Sequence, residues 1–129
     1  MKNLRIALIL LALAVVLGAF GAHALKERLA EDSLKVWNTA VLYHFVHAIG
    51  LVMIVIISNL GWLSERGTKW SIRSLFAGIA FFSGSLYFLS TRDITGLSVS
   101  WLGPITPIGG LFFIGGWLIA AFNLKKSAA

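Results

Sequence analysis

Apolar residues in this chain do not alternate with polar ones. They gather into four continuous runs, at about residues 6–24, 36–60, 70–89 and 107–124, and short stretches between them hold most of the charge. Each run approaches the ~20 residues a helix needs to cross a hydrocarbon core. A transmembrane barrel would show alternation instead. The expected fold is all-α: an integral membrane bundle of four transmembrane helices, up-down-up-down, with residues 1–129 as a single domain. The short connections favour antiparallel neighbours.

Within the first run, Ala14, Gly18 and Ala22 recur every four residues, a spacing that lets helix backbones approach closely. Lys2, Arg5, the apolar run and Ala22-His23-Ala24 also fit a cleaved signal peptide. The small-residue stripe favours a retained helix. Leu25 to Lys35 reads as a solvated helical connection, with an amphipathic helix on the membrane surface as the alternative. Trp37 and Trp62 bracket the second run as interfacial aromatics do, and Gly61 suits a helix stop. Ala77, Ala80 and Gly84 give the third run a small face, and Tyr87 approaches its far interface. Pro104 and Pro107 predict an extended lead-in and a helix from about Pro107. A broken helix lining a cavity is the alternative. Gly109, Gly116 and Ala120 mark a small face on the fourth run.

Composition narrows the class further. The chain is 58% hydrophobic and 12% charged, with a mean hydropathy of +0.88. A soluble domain carries about a quarter of its residues charged. The net charge of +6 flanks the spans, so it points to topology and to membrane lipids as partners, with no nucleic acid. The absence of cysteine excludes disulfides, thiolate metal sites and thiol nucleophiles. Lys2, Arg5, Arg66, Lys69, Arg73, Lys125 and Lys126 fall on one side of the expected bundle; Lys26, Arg28, Lys35 and Arg92 fall on the other. The richer side is usually cytoplasmic, which puts both termini there.

The chemistry-bearing residues lie around Thr39 to Gly50. His44 and His47 share a helix face inside an apolar run, where ionisable groups suggest function. Counting inward from Trp37 sets His44 about 10 Å deep. Together with His23, Trp37, Asn38, Thr39, Tyr43, Tyr87, Pro104, Thr106 and Pro107, these residues predict a polar pocket in the outer half of the bundle. Glu27 can hold His23 by a hydrogen bond. The simplest role is interhelical bonding in a non-enzymatic membrane component. The alternatives are a small-ligand or proton-coupled binding or transport site and a haem or metal centre built on the histidines. No cofactor is called for. The five carboxylates lie in loops, which leaves ordinary enzyme chemistry without support. The glycine spacings leave a homo-oligomer or a membrane-protein partner open.

Four motifs recur in order: Gly18-Ala19-Phe20-Gly21-Ala22-His23-Ala24-Leu25; Trp37 with Thr39-Ala40, Tyr43-His44 and His47-Ala48; Phe82-Ser83-Gly84-Ser85-Leu86-Tyr87; and Leu102 through Gly110. On these the chain resembles the small membrane protein family of bacterial YgdD and YwdK, a domain of unknown function (423) that also includes a eukaryotic transmembrane protein. The resemblance implies an intact four-helix protein of the bacterial inner membrane, multi-pass, with its first span retained. It implies no activity and assigns no residue a role.

Overall fold

The computed structural model describes residues 1–125, so the Lys126 counted above lies outside the described residues. Four helices are long and apolar enough to span a membrane: α1 (Lys2–Leu25), α2 (Glu31–Asn59), α3 (Glu65–Thr95) and α4 (Ile105–Phe122). Three of them run further than the apolar runs alone indicate. Glu31 to Lys35 is the first turn of α2, with Lys35 paired to Glu31 at 2.9 Å. The link between α1 and α2 is therefore only residues 26–30. α3 continues through the charged Arg92 and Asp93 to Thr95. Hydropathy marks the part of a helix that suits lipid, whereas helical hydrogen bonding continues past it.

Glycines end two helices. Gly61 (φ 78°) follows α2 and Gly96 (φ 68°) follows α3, both left-handed positions that favour glycine. A short 3₁₀ turn at Ser100–Leu102 leads to α4. Pro104 caps α4 with helical φ and ψ, and Pro107 sits in its first turn, where a missing N–H costs nothing. The expected extended lead-in as far as Pro107 is thus replaced by a plain helix start at Ile105, two residues earlier.

Contacts along the helices fix their directions. Gly18 meets Val41 and Gly21 meets Trp37 between α1 and α2. Ser58 meets Thr68 near the α2–α3 turn, and His44 meets Tyr87 further along the same pair. Ser64–Asn123, Ser71–Gly116 and Ser85–Thr106 run in opposite order along α3 and α4. Each consecutive pair is antiparallel. A backbone pairing of Leu63 with Leu124 and a bond from Lys125 N–H to the Trp62 carbonyl tie the end of α4 to the α2–α3 turn.

The main core is aliphatic: Ala48, Leu51 and Ile54 of α2 meet Ile72, Leu75 and Ile79 of α3, with Phe113 of α4 and Ala7 of α1. The small faces differ from expectation on two helices. On α1 the buried small residues are Ala7, Ala14 and Gly21, while Ala22 is exposed. The wide π turn at Gly21–Leu25 rotates the helix there and sets Gly21 on the Trp37 ring. On α3, Ala80 is exposed, and Ser71, Leu75, Gly78, Ser83 and Ser85 are buried instead. A second π turn, Ile79–Ser83, brings Ser83 to the packed side five residues after Gly78. On α4, Gly109, Gly116 and Ala120 are buried together, as their spacing predicts.

Candidate functional site

The stripe Trp37, Ala40, His44, His47, Ala48 and Leu51 is the buried face of α2. Its three- and four-residue spacing is that of one helix face. His44 lies thirteen residues after Glu31 and fifteen before Asn59, so it sits at the middle of the helix.

His44 is 2% exposed. Its Nδ1 is 3.1 Å from the Tyr87 hydroxyl of α3. When Tyr87 donates to Nδ1, the neutral ring carries its proton on Nε2. That atom is buried without a hydrogen-bond partner among the described residues. The Leu10 backbone of α1 approaches the ring but does not reach hydrogen-bond geometry with Nε2. Ser83 Oγ, one turn before Tyr87, is the other buried and unpartnered side-chain atom among the described residues.

Trp37 is buried, not an interfacial anchor. Its Nε1–H donates to the Leu17 carbonyl at 3.0 Å, and its ring packs 4.8 Å from that of Tyr87. Tyr87 is half-buried against it, and α3 runs two further turns beyond Tyr87. Trp37, Tyr87 and His44 thus form one group joining α1, α2 and α3.

His47 belongs to a second group. Its Nδ1 donates to the Tyr43 carbonyl one turn earlier, at 2.7 Å. Its ring stacks on Phe113 of α4, with centroids 3.5 Å apart, and lies 6.1 Å from Trp117. Tyr43 packs on Phe82 at 4.5 Å. Thr106 is drawn in separately, at 2.6 Å from the buried Ser85 hydroxyl.

The remaining predicted residues stay outside. His23 and Glu27 are exposed and share no hydrogen bond among the described residues. Gly21 rests on the Trp37 ring, and His23 lies beyond it toward the start of α2, whereas His44 lies two turns from Trp37 in the other direction. Asn38 and Thr39 are exposed, and Thr39 bonds only to the Lys35 carbonyl of its own helix. Pro104 and Pro107 are exposed as well. Among the described residues, no three His, Asp or Glu side chains gather as metal ligands do. Phe82, Phe113, Trp117, Ser83 and Ser85 are not among the pocket residues expected from the sequence, although the motif Phe82 to Tyr87 holds three of them.

A crevice of about 540 Å³ opens beside the first group. Phe20, Trp37, Tyr87 and Phe88 wall it, Arg28 stands at its rim, and Thr91 and Thr95 lie along α3. Tyr87 is therefore shared: its hydroxyl faces His44 and its ring faces the crevice.

The family model described as "Protein of unknown function (DUF423)" matches residues 17–110. A UPF0382 membrane protein of Staphylococcus epidermidis is 42% identical over 116 residues, covering 90% of this chain and 88% of that protein. The UPF0382 membrane protein YwdK of Bacillus subtilis is 45% identical over 118 residues, covering 88% of each chain. No solved structure matches the chain. The matched stretch takes in Trp37, His44, Tyr87 and Thr106, and the chain belongs to the DUF423 family, whose relatives are membrane proteins.

Proposed function

We propose that the protein is a non-enzymatic component of the bacterial inner membrane, crossing it up-down-up-down with both termini cytoplasmic. The carrying observation is how its intramembrane polar groups are used. His44 meets Tyr87, Trp37 meets Leu17, Ser71 meets Gly116 and Ser85 meets Thr106, and every pair joins two helices. All five carboxylates are exposed, away from these groups. Orientation is supported by Lys2, Arg5, Arg66, Lys69, Arg73 and Lys125 at one end against Lys26, Arg28, Lys35 and Arg92 at the other. Reporter fusions after Lys125 and within residues 26–30 should report opposite sides; same-side reporting contradicts the arrangement. His44→Ala and His47→Ala should each lower yield and detergent stability together. Full stability in both variants would sink the bonding role.

A second reading is favoured by the position of Tyr87. The crevice it walls suits an amphiphile, with aromatic rings for an apolar tail and Arg28 for an acidic head. A nitroxide-labelled fatty acid should then quench tryptophan emission. The quenched fraction should disappear in Trp37→Phe and weaken in Arg28→Gln. Equal quenching in all three chains contradicts this reading.

A further inference from the structure

At the opposite end from Arg28, the start of α1, the end of α2 and the first three turns of α3 enclose a groove of about 430 Å³. Along the α3 wall stand Glu65, Lys69 and Arg73, each four residues from the next, then Ile72 and Phe76 beneath them. Asn3 closes the α1 side. Four residues advance a helix by about 6 Å, so the three charges form a ladder on one face. Their order is carboxylate, ammonium, guanidinium, with apolar side chains continuing toward the middle of the helix.

This level belongs to the membrane–water boundary. Trp70 is exposed, as an interfacial tryptophan is, and the Arg73 guanidinium lies 5.4 Å from the centre of its ring. Glu65, Lys69 and Arg73 form no ion pairs among the described residues, where only Lys35 and Arg92 do so. Three charges of defined order are thus presented to the headgroup region. Thr68, between them in sequence, is already used: its hydroxyl lies 2.9 Å from the Ser58 hydroxyl and 2.9 Å from the Ser64 carbonyl.

We propose that this groove is a headgroup site for phosphatidylethanolamine. The lipid's phosphodiester sits between Lys69 and Arg73, where an ammonium and a guanidinium both donate to its oxygens. Its ammonium, two carbons away from the phosphate, turns to Glu65 one helical turn outward. Ile72 and Phe76 lie under the glycerol and the first acyl carbons. An anionic lipid gains the same phosphate contacts, but it has no cation for Glu65 and meets that carboxylate as a like charge. Glu65 is therefore the selectivity residue and the basic pair is the affinity element. The site is separate from the Tyr87 crevice and from the interhelical bonds, so it does not depend on the function proposed above.

The test uses the full chain, delipidated in mild detergent and offered phosphatidylethanolamine or phosphatidylglycerol of matched acyl chains, with retained lipid read by native mass spectrometry. Wild type should retain phosphatidylethanolamine about fivefold better, the upper range for an exposed charge pair. Lys69→Gln with Arg73→Gln should lose retention of both lipids. Glu65→Gln should keep both and lose the preference. All three positions are exposed, so the variants should melt with wild type in lipid-free detergent. Equal retention of the two lipids by wild type overturns the proposal. So does unchanged retention in the basic-pair variant, or an unchanged preference in Glu65→Gln.

Discussion

Between α3 and α4, backbone meets backbone. Gly109 of α4 rests on the main chain of Phe81 and Phe82, Gly78 lies under the Phe113 ring, and the Ser71 hydroxyl donates to the Gly116 carbonyl at 2.8 Å. Between α1 and α2 the contact is thinner. Ala7 and Ala14 are buried, a Cβ at Gly18 would lie in ordinary contact with Val41 at 3.4 Å, and one side chain, Trp37, donates across to Leu17. Without a hydrophobic drive between helices in lipid, close packing and interhelical hydrogen bonds must hold a bundle together. The α3–α4 seam uses the first means most heavily. The α1–α2 seam depends more on the second, concentrated at one end and completed by Tyr87 and His44.

The sharpest way to break this contrast is at Gly109. A Cβ there collides with the main chain, which no rotamer change relieves, so Gly109→Leu should cost about 3 kcal/mol or more and abolish recovery of folded protein. Gly115 lies on the same helix with no atom within 4 Å of its Cβ position. Gly115→Ala should therefore be neutral or stabilising, by up to about 1 kcal/mol. Comparable losses in the two variants, read from denaturant titration in detergent, would show that α4 is sensitive for another reason.

On the thinner seam, Trp37→Phe keeps most of the ring and removes the donor to Leu17. It should cost about 1 kcal/mol, read in the same titration. Proteolysis should then cut first in the link at 26–30, as α1 loosens from α2. A variant as resistant as wild type would place the hold on α1 elsewhere. The smallest effects belong to Asn38→Ala and Thr39→Ala. Both residues are exposed and neither bonds to another helix, so each should stay within about 0.5 kcal/mol of wild type.

Asn38 and Thr39 also show how far the sequence could be read. Four spans were legible because continuous apolar runs have few uses outside a bilayer. Helix ends were not, because Glu31 and Lys35 stabilise a helical turn in water as well as apolar residues do in lipid. Trp37, His44 and His47 were legible as one face from their three- and four-residue spacing. Asn38 and Thr39 follow Trp37 by about 100° and 200° around the helix, and their polarity alone drew them into the cluster. His23 shares the outer end with the cluster in sequence, but Gly21 rather than His23 meets Trp37, and His23 stays exposed. The π turn before Ser83 left no mark in the hydropathy pattern, so the rotation that buries Ser83 was invisible. Tyr87 was legible as a polar residue near the end of its apolar run, but its contact with His44 was not, because that depends on how α2 and α3 are set against each other.

The contact between His44 and Tyr87 is the centre of the bundle's polar fastening. A double-mutant cycle of His44→Ala and Tyr87→Phe, measured as unfolding free energy in detergent or lipid, isolates that pair. A fastening role predicts that the two changes together cost about 1 kcal/mol less than the sum of each alone. Strictly additive losses would mean that the pair does not bond, and that His44 is buried at the centre of the bundle for some purpose other than holding it.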